Sequence, residues 1–320
     1  MYGGLIVMKK IYLYFMPVML LMLGLTSCEK DEIKSESVIT VDSYVQNDFD
    51  KWLEENFRNP YNIDFKYRFE EIESNLDYYT VPAEFWQSVK MAHLVKYLCV
   101  ETYNEVVGIE FTRANFPKMF FLIGEWEYRN NGTYILGTAE GGRKILLAGL
   151  NYLSENIAKG PEYMNEFYFK TIHHEFTHIM NQTKVIPADF QPVAGEYYVG
   201  DMWSEEPYNK VYLSRGFISA YSQHSFEEDF AEMLSMYITN DAKTWDGWLE
   251  QADKAAAENS GKDYSAPENP SGKLRTKLDI VRRYMKETFN IDIDALRETV
   301  QRRQADIVAG KVDLMDITVK

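Results

Sequence analysis

The sequence predicts an α+β fold: a small antiparallel or mixed sheet, then a helix carrying the motif H-E-x-x-H, then a mostly helical C-terminal part. Three observations predict it. Between residues 63 and 148 short alternating or apolar runs are separated by glycine-containing turns. Around residues 169–180 Phe169, Ile172, Phe176, Ile179 and Met180 recur at helical spacing. From residue 226 onward the apolar positions keep the same helical period.

The chain opens on a segment outside this fold. Met8-Lys9-Lys10 is a short basic region and Ile11 to Leu25 an apolar run. The run is too short to span a membrane and ends in Thr26-Ser27-Cys28. Residues 1–27 are therefore expected to be a lipoprotein signal peptide, with Cys28 the lipidated first residue of the mature chain. Residues 28–42 are polar and are expected to form a tether; Glu29-Lys30-Asp31-Glu32 resembles the export tag of surface-exposed lipoproteins. The expected location is the outer membrane, at the cell surface, with the membrane contacted only through the lipid anchor. Residues 43–320 then form the folded domain, an α/β part to about residue 182 and a helical part after about 210.

The formal net charge is −15. Without residues 1–27, which hold Lys9 and Lys10 and no acid, it becomes −17. Such a balance argues against nucleic acid as a partner. Hydrophobic residues make up 46% of the chain, enough for a sizeable core. With Cys28 given to lipid, Cys99 is alone, so no disulfide framework exists, and its apolar neighbours place it in the core.

In chain order, Val41 to Phe57 is expected to be helical and to stop at Asn59-Pro60. Ile63 to Phe69 alternates as a strand, and Pro82 to Val107 has helical periodicity. Lys118 to Gly124 is a buried strand; Asn130-Asn131-Gly132 turns the chain and Thr133 to Gly137 returns. Glu140-Gly141-Gly142 is a second turn, before a strand over Lys144 to Ala148. The strands are expected to pair antiparallel ahead of the motif helix, one bordering a cleft where a peptide could pair with it. After His178 the periodicity lapses for some thirty residues. Phe226 to Ile238, Leu274 to Phe289 and Ile293 to Val308 are predicted helices, with a solvated loop over Ala255 to Pro270.

The chemistry concentrates in two stretches. In Thr171-Ile172-His173-His174-Glu175-Phe176-Thr177-His178, His174 and His178 are four residues apart and share a helix face opposite the apolar stripe. That spacing suits two imidazoles on one Zn²⁺, with Glu175 placed to act on a water. A third ligand is expected from Phe226-Glu227-Glu228-Asp229-Phe230-Ala231-Glu232. Glu228 and Glu232 lie one turn apart beside the small residues Ala231 and Ser235, which lets another helix approach. Glu228 is the better ligand candidate, and Glu232 is placed to hydrogen-bond a ligand histidine. Glu227 and Asp229 are expected on a solvated face.

H-E-x-x-H followed some fifty residues later by Tyr221-x6-Glu228-Asp229-Phe230-Ala231-Glu232 resembles the zinc site of lethal-factor-like gluzincin peptidases. That resemblance implies a zincin-like fold, Glu228 as third zinc ligand and Tyr221 as the oxyanion donor. A wider resemblance covers nearly all of the mature chain. It rests on Cys28, Pro60-Tyr61-Asn62-Ile63, Gly137-Thr138-Ala139-Glu140-Gly141-Gly142-Arg143-Lys144-Ile145, the motif stretch and Glu228-Asp229-Phe230-Ala231-Glu232. These are similar to the substrate import-associated zinc metallohydrolase lipoproteins. This implies a peptide or protein substrate and an association with TonB-dependent uptake components. The rival expectation is a non-catalytic, zinc-containing binding lipoprotein of such a complex. Glu175 favours catalysis, because a purely structural zinc site has no use for it.

Overall fold

The computed structural model describes residues 45–319 apart from residues 76, 130–131, 141–142, 263 and 265–268. The signal peptide, Cys28 and all of the tether lie outside the described residues, as do the first residues of the helix expected from Val41 and parts of the two glycine turns. Among the described residues no helix is long and apolar enough to cross a membrane.

The fold is mixed α and β, mostly helical, with a small mixed sheet. Helix α1 (Asp48–Leu53) starts on a capping box in which Asn47 and Asp50 exchange side-chain and backbone hydrogen bonds. It does not stop at Asn59-Pro60. A wider π-helical turn, Glu54–Arg58, carries it through Asn59–Tyr61, and Asn62 ends it at φ 55°. The helix runs continuously past Pro60, and the left-handed Asn62 is the true stop.

Strand β1 (Asp64–Lys66) is shorter than the alternation suggests. Helix α2 (Phe85–Val95) runs through a π turn at Lys96–Val100 into α3 (Glu101–Val106). Strands β2 (Met119–Leu122), β5 (Gly137–Glu140) and β6 (Lys144–Leu147) complete the main sheet in the order β1-β2-β6-β5; β3 (Glu127–Tyr128) and β4 (Tyr134–Ile135) form a separate hairpin. The expected antiparallel pairing holds for β5 with β6, but β1 with β2 and β2 with β6 are parallel. The cause is connectivity. Helices α2 and α3 carry the chain back between β1 and β2, and the β3–β4 hairpin loops out between β2 and β5 instead of folding back on β2. Phe120, Phe121, Ile145, Leu146 and Leu147 are all buried, as strands covered on both faces require.

Helix α4 (Lys170–Thr183) carries the motif, entered through a π turn at Asn165–Phe169. Its apolar side is pinned by Phe176, which packs edge-on against Tyr103 and Phe116 at 5.1 and 4.8 Å. His173 faces this side too: Tyr103 Oη lies 3.2 Å from its Nδ1, and Cys99, fully buried, lies 4.0 Å from its Nε2.

The stretch after α4 is a run of short helical turns pinned by Arg215, whose guanidinium donates to Gln223 Oε1 and to the carbonyls of Tyr197 and Tyr264. Helix α5 (Phe226–Thr239) packs against α4, and its small residues Ala231 and Ser235 are buried. Helix α6 (Ala242–Asn259) extends through the residues expected to be a loop from Ala255, since Lys254 to Glu258 are good helix formers. Helices α7 (Pro270–Phe289) and α8 (Ile293–Val308) close the fold. Tyr284 of α7 donates to the carbonyl of Lys184, just past the end of α4.

Candidate metal centre

Two helices build the site. On α4, His174 and His178 project from one face, a turn apart. On α5, Ser225 caps the helix by accepting from Glu228 N–H, and the acidic first turn Glu227-Glu228-Asp229 complements the positive helix end. Glu228 points across at the histidines. Its Oε2 lies 2.9 Å from His174 Nε2 and 3.1 Å from His178 Nε2, and the two Nε2 atoms are 3.0 Å apart. Among the described residues this is the one cluster of three such groups able to hold a metal ion.

The donor set fits zinc. Glu232 Oε1 lies 2.8 Å from His174 Nδ1, so in a neutral imidazole the proton sits on Nδ1 and the Nε2 lone pair faces Glu228. A bare nitrogen aimed at a carboxylate oxygen is repulsive unless a cation stands between them. Two imidazoles and one carboxylate are zinc's ordinary ligands, with a fourth position left open.

The electrostatics favour positive charge here. Burial lowers the proton affinity of His174, but Glu228 and Glu232 outweigh it and push its pKa up to about 10. Burial likewise opposes ionisation of Glu228, yet hydrogen bonds from His174 and His178 hold its carboxyl well below the usual range. What attracts a proton to this cluster attracts a metal cation equally. Burial pushes Glu175 above the ordinary carboxylate value, opposed by the histidines and by a hydrogen bond from Ala139 N–H. Tyr221 hydrogen-bonds Glu228; burial first, then that carboxylate, raises its pKa and keeps the hydroxyl protonated, a donor. Its ring sits 6.0 Å from His174 and edge-on to Trp203 at 5.0 Å.

The structure thus brings His174, His178, Glu228, Glu232, Glu175 and Tyr221 to one place. His224 stays outside the cluster, stacked on Tyr221 and 3.3 Å from Asp201. Glu227 is exposed, but Asp229 is not on a solvated face. It is fully buried, 2.6 Å from Lys277 Nζ, and accepts from Tyr198 Oη. Helix α5 is covered on that side by α7, which the acidic run in the sequence conceals.

Two participants were missed. Lys170 Nζ lies 2.9 Å from Glu232 Oε1; its place four residues before His174 was the available signal. The other is the backbone of β5, an edge strand whose Ala139 N–H meets Glu175. No side-chain pattern announces a backbone donor. Strand and site share an open cleft of about 1310 Å³, lined among others by Tyr134, Ala139, Glu175, Trp203 and Val185.

A family model described as "Putative zinc-binding metallo-peptidase" matches residues 42–294. Among solved structures, a crystal structure from Bacteroides caccae titled a putative zinc-binding metallo-peptidase is 38% identical, with a TM-score of 0.68. The match covers 85% of this chain and 96% of that one. No curated protein matches. With the family model spanning most of the chain and two imidazoles meeting a carboxylate between α4 and α5, the chain belongs to this family of zinc-binding metallo-peptidases.

Proposed function

We propose that the protein is a peptidase of gluzincin type with a zincin-like fold and a lethal-factor-like site, hydrolysing peptide bonds in the cleft between β5 and the metal centre. The observation that carries this is the convergence of His174, His178 and Glu228 with a carboxylate outside their cluster, Glu175, on the same cleft.

Those three residues would hold a zinc ion, which would supply a Lewis acid able to bring the pKa of a water toward neutrality. Glu175 takes a proton from the attacking water on its carboxylate and returns it to the leaving amine nitrogen. Burial raises Glu175 above an ordinary carboxylate, which makes it a better base, and Ala139 N–H holds it in place. Tyr221 Oη donates to the oxyanion as the carbonyl carbon becomes tetrahedral. Glu232 Oε1, 2.8 Å from His174 Nδ1, favours the tautomer with its proton on Nδ1, which leaves Nε2 to ligate.

We further propose that residues 1–27 are removed, that Cys28 carries lipid, and that residues 28–42 hold domain 43–320 at the outer-membrane surface. There it would serve a TonB-dependent uptake system, its N-terminal part to about residue 182 and its helical part after about 210 acting as one enzyme. The support is the sequence of the leader and tether, the net charge, and the resemblance to uptake-associated lipoproteins.

The test is cleavage of a diverse peptide library by the zinc-loaded protein and its Glu175→Gln variant. Peptides cut by the wild type and spared by the variant support the proposal. A zinc-loaded wild type that cuts nothing favours a non-catalytic binding lipoprotein.

A further inference from the structure

Glu232 is buried to 1% exposure at its side chain, in the contact between α4 and α5. Two groups meet on one of its oxygens: Oε1 lies 2.8 Å from His174 Nδ1 and 2.9 Å from Lys170 Nζ. Lys170 and His174 stand four residues apart on α4, so the ammonium and the imidazole present themselves to the carboxylate along one helix face. Lys170 also lines the cleft and keeps 21% of its side chain exposed.

A carboxylate desolvated this far needs a compensating charge to stay fixed in place. Lys170 is the cation bonded to it, whereas His174 must remain neutral to give its Nε2 lone pair to a metal. We propose that Lys170 is a positioning residue of the metal centre: it fixes Glu232 against His174 Nδ1 and thereby sets the site's affinity for zinc. Lys170 touches neither metal nor substrate in this role. It acts through Glu232, as partners of ligand histidines do elsewhere. The ordinary alternative is an ion pair that only helps α4 pack on α5. That alternative predicts lost stability with no change in zinc affinity. The inference rests on His174 being a zinc ligand.

The experiment measures zinc affinity of the intact protein by competition with a chromophoric chelator, alongside thermal unfolding of the metal-free form. Lys170→Met should weaken zinc binding about 10–100-fold, the scale for such partners. Lys170→Arg should recover most of the loss. Glu232→Gln should weaken binding by a similar factor, and adding Lys170→Met to it should cost little more, because the two residues act in series. If Lys170→Met does not fold, Lys170→Gln makes the same comparison. A Lys170→Met protein that melts lower yet binds zinc like wild type overturns the inference, as does full additivity in the double variant. Wild-type protein that binds no zinc would instead overturn the metal-centre reading itself.

Discussion

Glu175 and Tyr221 should separate chemistry from folding. Glu175 stands beside the ligand cluster without joining its contacts, so Glu175→Gln should keep zinc content and thermal stability near wild type. Turnover should fall by roughly two orders of magnitude or more, the loss expected for a general base. Tyr221→Phe removes one hydroxyl and leaves the ring against His174 and Trp203. If that hydroxyl meets the oxyanion only in the transition state, kcat drops about 10²-fold and KM barely moves. An unchanged kcat would take Tyr221 out of the mechanism and leave it a packing residue. At this scale the placement of His174 and His178 was legible because both lie within one turn of a helix whose apolar stripe defines its faces. Glu228 could be singled out because Ala231 and Ser235 mark the side on which another helix approaches. Lys170 escaped notice because a lysine at the start of a helix is ordinary, and its partner lies 62 residues away.

Strand β5 and helix α4 lie against each other without room for a side chain at Gly137. A Cβ there would fall 2.6 Å from Leu146 O and 2.8 Å from Thr171 Cγ2. Gly137→Ala must therefore shift the strand from the helix and pull Ala139 N–H off Glu175. Zinc content should stay intact while turnover falls, because the ligands come from α4 and α5 rather than from the sheet. Wild-type turnover in Gly137→Ala would show that Glu175 does not depend on the strand. The turn before β6 and β6 itself were legible because their signals are local, but the single strand expected over Thr133 to Gly137 is divided between β4, which pairs with β3, and β5, which pairs with β6; the parallel pairings of β1, β2 and β6 were not legible, since strand order depends on where intervening helices lead. Local chemistry can also mislead. Asn59-Pro60 looked like a helix end, but a π turn before it and a left-handed Asn62 after it moved the stop.

Across the whole molecule, the closing helices hold the ligand helix from behind. Lys277 of α7 is fully buried, donates to Gly216 O at 2.8 Å and pairs with Asp229, the residue after Glu228. Lys277→Met should lower stability by about 3–5 kcal/mol, the cost of stranding one partner of a buried pair, read from urea unfolding. A loss below about 1 kcal/mol would mean Asp229 finds another partner or a proton without strain. This link joins residues 48 positions apart, and no periodicity reports it. Beyond the described residues, Cys28→Ala should move the protein from the membrane to the soluble fraction or leave the precursor uncut. Normal processing with unchanged fractionation would remove the lipid anchor from the account.

One zinc ion is expected between α4 and α5, on His174, His178 and Glu228. Crystals of the zinc-loaded protein, measured on both sides of the zinc absorption edge, test it most directly. One anomalous peak per chain is expected, about 2.0–2.2 Å from both Nε2 atoms and a Glu228 oxygen, with Glu232 behind His174. A peak elsewhere, or one bound by Glu232 with Glu228 turned to solvent, would contradict it.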